Sequence, residues 1–219
     1  MNFVNYIVAI LLSLEPSHYD RETWQERTAR MEIIANAISD ASSRATCEEK
    51  YNTPDCKKTW VNGRRNLALL LVTKGYWESK FAKNVHEGKC HPTECDAYIT
   101  NGNRYHRARS PWQIQKTNLV SKDEYSMMNS STQEATTMST NVAVRHLVLG
   151  MNMCKTISGT MAIYGGAKSC TWSGIAPRVQ FYTNLLNVRS ENNFQKLILE
   201  RKLKLEARLA SSKMPNKKK

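Results

Sequence analysis

Residues 67–72 read Leu-Ala-Leu-Leu-Leu-Val, and residues 76–81 read Tyr-Trp-Glu-Ser-Lys-Phe. The first run carries no charge and predicts a buried helix, which we expect to extend from about residue 62 to residue 79. Glu78 then lies at the end of this helix between Trp77 and Phe81, where it would be partly desolvated. A carboxyl group in such surroundings can hold a proton near neutral pH, as a general acid must. A helix-end or surface glutamate with aromatic neighbours is the simpler alternative.

Apolar residues at helical spacing predict several other helices, and no segment has a convincing strand pattern. We therefore predict an all-α, predominantly helical protein. The long polar segment 82–111 is expected to be a loop that carries function or binding. The stretch 126–140, rich in Ser, Thr and Met, is expected to be a loop, a lid or plain surface. The remaining predicted helices cover residues 2–14, 20–43, 140–155, 178–187 and 193–209.

Composition limits the class of protein. The chain has 219 residues, 41% hydrophobic and 23% charged, which is enough for a folded core and argues against general disorder. Its formal net charge is +13 and its pI is about 9.6. Such a charge indicates an acidic polymer as partner, and both nucleic acid and bacterial cell wall satisfy this condition.

The order of the predicted helices and loops divides the sequence into three regions. Residues 1–60 would be N-terminal helices and a connection that pack on the catalytic domain. Residues 61–190 would form that domain, and residues 191–219 would be a basic helical C-terminal extension. This extension would contact the wall, DNA or an assembly, or be only a solvated helix with a frayed end.

Six cysteines fall into three pairs that are close in sequence: Cys47–Cys56, Cys90–Cys95 and Cys154–Cys170. An even count with local spacing predicts three short-range disulfides and an oxidising destination. Zinc binding around Cys90-His91 and Cys95 is the competing interpretation, but no second half-site lies nearby in sequence. We therefore expect no metal and no cofactor.

Three ordered segments resemble the lysozyme-like lytic transglycosylases. They are Glu78-Ser79-Lys80-Phe81, the Trp112-Gln113 pair that follows a small-residue turn, and Met161-Ala162-Ile163-Tyr164-Gly165-Gly166. Residues 141–150 match the family's Asn-x-x-x-Gly helix weakly. The resemblance covers about residues 65–185 and implies a lysozyme-like fold that cleaves peptidoglycan.

The chain also departs from the family pattern. Glu78 and Gln113 are 35 residues apart, which is longer than the compact pattern, and the extra length contains Cys90 and Cys95. Ser110-Pro111-Trp112 stands where the family has Gly-Leu-Met, and Gly165 stands where it has Asn. These changes affect sugar binding more than the acid.

The resemblance implies a role for each matching residue. Glu78 would be the single catalytic acid, and then the base when the muramoyl 6-hydroxyl displaces the leaving group to give a 1,6-anhydro product. Gln113 would contact the sugar. Ser79 would hydrogen-bond near the acid or the substrate, and Tyr164 would orient Glu78 or the substrate. Each of the last three residues also has a purely structural explanation. Gln113 would be only a polar neighbour of Trp112, Ser79 would be a helix-capping group, and Tyr164 would be a core residue with its hydroxyl group at the rim.

Other candidates have weaker support. Trp77 and Trp112 would form cleft walls or pack in the core. Glu87, Glu94 and Asp96 are better explained as surface charges than as a second catalytic carboxylate, and no comparable partner acid is evident. His86, His91 and His106 suggest a nuclease or metal site, but scattered histidines in a basic loop are more often surface residues.

We therefore expect a peptidoglycan lytic transglycosylase, with peptidoglycan strands and other virion proteins or an anionic polymer as partners. The alternatives are a hydrolysing lysozyme, and a structural virion or DNA-binding protein that keeps the fold without activity. The apolar residues 1–14 lack the basic and small-residue features of a secretory signal and are too short to span a membrane. A phage virion, or the extracellular or periplasmic side of the wall, is the expected location.

Overall fold

The computed structural model describes residues 2–18, 20–44, 63–89, 97–100, 103–106, 108–188 and 191–212. Helices dominate this part of the chain, as the sequence predicts. They are α1 (Phe3–Ser13), α2 (Trp24–Arg44), α3 (Gly63–Ser79), α4 (Lys83–His86), α5 (Lys122–Met127), α6 (Gln133–Cys154), α7 (Ile157–Tyr164), α8 (Ala176–Asn187) and α9 (Glu191–Ser212), with a 3-10 turn at Ser173–Ile175.

Short strands occur between α4 and α5, and together with α4 they occupy much of the segment 82–111 that was expected to be a long loop. They form two antiparallel pairs, with Ala97 opposite His106 in the first and Arg109 opposite Ile114 in the second. Strands of two to four residues are too short for a visible alternation of apolar and polar side chains. The strands are β1 (Ala97–Thr100), β2 (Asn103–His106), β3 (Ala108–Arg109) and β4 (Ile114–Gln115).

Helix α3 lies at the centre of the core. Residues 67–72 are buried on every side, because α3 packs against α2, α6 and α8 at once. A helix surrounded by other elements has no polar face to present, which explains its unbroken apolar run. The predicted helix at 62–79 is confirmed within one residue at its start, and Glu78 lies in its last turn.

The two terminal helices belong to the same hydrophobic core as α3. Helix α1 packs against α2 and α9, and Phe194 and Leu205 of α9 are buried. Glu15, just after α1, forms ion pairs with Arg201 (2.7 Å), Arg208 (3.5 Å) and Lys204 of α9. Part of the positive charge of α9 is therefore paired within the protein, and side chains from all three predicted regions contribute to one core.

Helix α6 begins at Gln133, so much of the stretch expected to be a loop or lid is helical. Thr132 caps it by accepting a hydrogen bond from the Ala135 backbone nitrogen at 3.2 Å. The buried hydroxyl groups of Thr136 and Thr140 donate to carbonyl oxygens one turn earlier, each at 2.7 Å. These bonds satisfy the hydroxyl groups inside the helix, which is why a Ser- and Thr-rich sequence can be buried there.

A disulfide joins Cys154, at the end of α6, to Cys170, with a Cα–Cα distance of 5.4 Å. The closed loop contains all of α7. The other two predicted pairs, Cys47–Cys56 and Cys90–Cys95, lie outside the described residues. None of the helices in the described ranges combines the length and apolarity needed to cross a bilayer.

Candidate active site

The chain turns sharply directly after Glu78. Lys80 and Phe81 both have φ of 51°, a left-handed conformation that is uncommon for residues other than glycine. Two successive residues of this kind end α3 and direct the next segment away from the helix axis. Because such backbone strain persists only where the surroundings enforce it, the turn marks the end of α3 as a candidate functional position.

A buried group of charged residues enforces this turn. Asp20, Glu22, Arg27 and Arg30 are almost fully buried and form ion pairs with one another, such as Arg30 with Glu22 at 2.6 Å. Arg30 also donates to the carbonyl oxygen of Phe81. Asp20 accepts from the Lys83 backbone nitrogen at 2.8 Å. The turn after Glu78 is thus fixed from both sides by charges that α2 and the segment before it supply.

Two cations contact the same oxygen of Glu78. Lys74 Nζ and Arg178 Nη1 each lie 2.9 Å from Oε1. Lys74 is one turn earlier on α3, and Arg178 comes from α8. Both contacts stabilise negative charge on the carboxylate. Glu78 Oε2 has no hydrogen-bond partner among the described residues.

Lys74 is fully buried, which is unusual for a lysine. Its ammonium group lies 4.1 Å from the centroid of the Tyr164 ring, over the ring face. Desolvation by burial lowers the pKa of Lys74 to about 8, although the negative charge of Glu78 opposes this shift. Burial, reinforced by the charge of Glu78, raises the pKa of Tyr164 well above its usual value, so its hydroxyl group stays protonated.

A pocket of about 210 Å³ brings together the matching segments of the sequence. Glu78, Gln113, Tyr164 and Gly165-Gly166 all line it, and we name it the Gln113 pocket. The backbone at Gln113 is left-handed (φ 49°), and its side-chain amide donates to the Ser110 carbonyl oxygen at 3.2 Å. The other lining residues are Ile114, Gln115, Thr117, His146 and Ile163.

A second pocket of about 200 Å³ also has Glu78 in its lining. We name it the Trp77 pocket. Glu78 is the carboxylate that the two pockets share, and no other Asp or Glu of the described chain lines either of them. The lining residues of this pocket are Ser17, His18, Trp77, Glu78, Ser79, Lys80, Ala82 and Val85.

Ser79 and Tyr164 join the end of α3 to the turn that carries Gln113. The Ser79 hydroxyl group donates to the Pro111 carbonyl oxygen at 2.7 Å, the shorter of its two acceptor distances. The Tyr164 hydroxyl group donates to the Trp112 carbonyl oxygen at 3.1 Å. Both side chains therefore set the position of Gln113 relative to Glu78. Tyr164 also contacts Lys74, which holds Glu78.

The two tryptophans for which a cleft wall and core packing were both considered have different positions. Trp112 is completely buried, donates to the Leu71 carbonyl oxygen at 3.0 Å and packs edge-on against Phe81, so it is a core residue and not a cleft wall. Trp77 is 39% exposed and lines its pocket.

Sequence reasoning missed three residues of the site. Lys74 is four residues before Glu78, so helical spacing alone could have shown the pair. Arg178 is 100 residues away, and nothing local indicates it. His146 lines the Gln113 pocket, and its Nε2 is buried without a partner among the described residues. Burial, assisted by the charge of Arg145, lowers the pKa of His146, so the ring is neutral at pH 7.

The remaining candidates do not join the site in the described structure. Glu87 is at the end of α4 and pairs with Lys89 at 3.3 Å. His86 is buried and lies 2.8 Å from Thr136 Oγ1, so its placement in a surface loop was wrong. His91, Glu94 and Asp96 lie outside the described residues, and only the backbone of His106, in β2, is described.

No protein-family model matches this chain, and no curated protein or solved structure matches it significantly. The functional conclusion therefore depends on the two pockets that share Glu78.

Proposed function

We propose that the protein is a lytic transglycosylase with a lysozyme-like fold that cleaves the MurNAc-β-1,4-GlcNAc bond of peptidoglycan. The observation that carries the proposal is that Glu78 lines both the Gln113 pocket and the Trp77 pocket. An acid that protonates the oxygen between two sugars needs one binding pocket on each side of it. Gln113 and Tyr164, selected from the sequence for sugar contact and orientation, line the first pocket with it.

Glu78 supplies the proton to the leaving oxygen. Its Oε1 contacts Lys74 and Arg178, so Oε2 is the oxygen that would transfer the proton, and the two cations stabilise the carboxylate that remains afterwards. As the proton leaves, negative charge develops on the carboxylate. Lys74 is already in place to stabilise that charge, and a fixed cation needs no rearrangement at the moment of reaction.

The neighbouring groups position the sugar and the acid. Gln113 has an amide group at the pocket wall to hydrogen-bond an N-acetyl or hydroxyl group. His146 is a second polar residue in the lining of this pocket. Ser79 and Tyr164 hold the Gln113 turn against α3. Gly165 and Gly166 line the same pocket.

A single carboxylate favours the transglycosylase over the hydrolase. A retaining hydrolase places a second carboxylate about 5 Å from the acid and an inverting one places it about 6.5–9.5 Å away. Within the described ranges, Glu78 is the carboxylate of both pockets. Glu78, once ionised, would then remove the proton of the muramoyl 6-hydroxyl group, which closes the 1,6-anhydro ring.

The net charge of +13 supports an anionic polymer as substrate. Peptidoglycan provides carboxylates along its length, and the basic α9 would add attraction to the wall or contact other virion proteins. A phage virion, or the outer side of the bacterial membrane, is the location that agrees with this activity.

Mass spectrometry of purified peptidoglycan after incubation with the protein tests the proposal. Wild type should release anhydro-muropeptides, and Glu78→Gln should lower their yield by at least about 100-fold, as expected for the loss of a general acid. Glu32→Gln is the matched control, because Glu32 is an exposed glutamate on α2. Products with reducing ends would indicate a hydrolase instead. An absence of products with several wall types would favour the structural or DNA-binding alternative.

A further inference from the structure

Arg178 lies between two partly exposed tryptophans at the side of Glu78. Its guanidinium carbon is 5.7 Å from the Trp77 ring centroid and 5.0 Å from that of Trp172. Both indoles are 39% exposed, and the Arg178 side chain is 14% exposed. Cation–π contact with these rings restrains the guanidinium group and leaves N–H donors to bind ligands.

Only part of this guanidinium group is used within the described structure. Nη1 donates to Glu78 Oε1 at 2.9 Å. For Nε and Nη2 no acceptor exists among the described residues, and neither nitrogen is sealed from solvent. An arginine with two unused donors on a fixed plane has the geometry that binds a carboxylate with two parallel hydrogen bonds.

Gly165 places this arginine next to the Gln113 pocket. A Cβ atom added at Gly165 would lie 3.3 Å from Arg178 Nη1 and 3.2 Å from the Trp172 ring. Gly165 lines the pocket, so Arg178 stands directly behind one of the residues that a bound sugar would touch.

We propose that Arg178, with Trp77 and Trp172 on its sides, is a recognition site for a carboxylate group of the glycan substrate. The inference rests on the proposed function, since it assumes a glycan in the pockets beside Glu78. The substrate carboxylate would bind Nε and Nη2, and Nη1 would keep its bond to Glu78 Oε1.

Peptidoglycan offers two sources of this carboxylate. One is the lactyl group of muramic acid where the stem peptide is absent, and the other is the stem peptide itself. The disaccharide GlcNAc-MurNAc lacks the bond that the proposed reaction cleaves, so its binding can be measured by calorimetry without turnover. The first ligand pair is this disaccharide and its methyl ester. The second pair is the peptide-bearing disaccharide with its peptide carboxylates free or amidated.

Wild type should bind the acid of at least one pair about tenfold more tightly than its neutral counterpart, the size expected for a hydrogen-bonded charge. The pair that shows this ratio identifies the source. Arg178→Gln should reduce the ratio to about one, and Arg178→Lys should give an intermediate ratio. The matched control is Arg64→Gln. Arg64 also lies over an aromatic ring, that of Phe3, and its position on α3 is about 21 Å from that of Glu78 along the helix axis.

If wild type binds the acid and the neutral ligand equally tightly in both pairs, the carboxylate site is overturned and the proposed function is not. A ratio that persists in Arg178→Gln would do the same. Binding of none of the four ligands would overturn the proposed function together with it. Circular dichroism of each variant establishes that it is folded, and Arg178→Lys keeps the test open if Arg178→Gln does not fold.

Discussion

The Lys74 ammonium group donates to Glu78 Oε1 at 2.9 Å although the Lys74 side chain has no exposure to solvent. A buried cation one helical turn from the proposed acid ties the chemistry of the site to the stability of α3. Because Lys74 and Glu78 share a face of the same helix, this relationship survives any movement that leaves α3 intact.

Lys74 should make stability depend on pH in the alkaline range. Its pKa is about 8 in the folded protein, and the ordinary lysine value is 10.5. Between these values the unfolded chain binds more protons, so the free energy of unfolding should rise with pH by up to about 3 kcal/mol. Urea unfolding of wild type and Lys74→Met between pH 7.5 and about 10.5 measures this. A stability difference between the two proteins that stays constant with pH would contradict it.

His86 should make the protein sensitive to acid. Burial, with a smaller contribution from the charge of Arg30, lowers its pKa from 6.5 to about 3. As the pH falls below 6.5, the unfolded chain takes up a proton that the folded protein does not, so stability is lost. At pH 4.5 the loss should be about 3 kcal/mol relative to pH 7.

Urea unfolding of wild type and His86→Gln at pH 7 and at about pH 4.5 measures how much His86 contributes to the loss of stability in acid. The glutamine variant keeps a neutral group that can hydrogen-bond Thr136 and should lack this part of the acid sensitivity. Equal losses in the two proteins would assign the sensitivity to other groups.

Gly75 should not tolerate a side chain. A Cβ atom there would lie 2.3 Å from the Phe81 ring, and that ring is buried against Trp112. Gly75→Ala should cost about 1–3 kcal/mol of stability. It should also lower activity, because Phe81 belongs to the turn after Glu78. Thermal unfolding and the muropeptide assay measure the two effects.

Gly166→Ala is the comparison for Gly75→Ala. Gly166 has a positive φ of 86°, and a Cβ atom added there would meet no other atom within 4 Å. Backbone strain of about 1–2 kcal/mol is therefore the main cost of the substitution. An equal or larger loss for Gly166→Ala would show that space at Gly75 is not the limiting factor.

The disulfide should stabilise the wall of the Gln113 pocket. Cys154 and Cys170 are 16 positions apart, and for a loop of this size the chain-entropy model gives about 3 kcal/mol. The double variant Cys154→Ser, Cys170→Ser should have a free energy of unfolding lower than that of wild type by about 3 kcal/mol. Reductant should lower the stability of wild type by breaking this disulfide, and the double variant should lack that part of the effect. An unchanged midpoint in urea would show that α7 is fixed by packing alone.

The leucine run of α3 made the central place of this helix and the position of Glu78 in its last turn predictable, because a helix without a polar face has to be central. Gln113 and Tyr164 were found through short motifs, and the structure brings both to the pocket that Glu78 lines. Arg178 could not be found in this way. Its contact with Glu78 depends on how α8 packs on α3, and local sequence does not record that packing.

Charged residues near a helix start predict a solvent-facing surface, and here that rule fails. Asp20 and Glu22 are buried because Arg27 and Arg30 neutralise them, and no single residue of the group shows this alone. The Ser- and Thr-rich start of α6 was misjudged for a similar reason. Its hydroxyl groups find partners within the helix, and composition does not show such bonds.

The bond from Arg30 to the Phe81 carbonyl oxygen determines how far the protein can be shortened. A fragment that begins at residue 61 keeps Glu78, Gln113 and Tyr164 but loses the guanidinium group that fixes the turn behind the acid. It also loses Ser17 and His18 from the Trp77 pocket. The smallest unit that keeps the candidate site intact therefore includes the N-terminal helices, and efforts to engineer or express the site have to retain them.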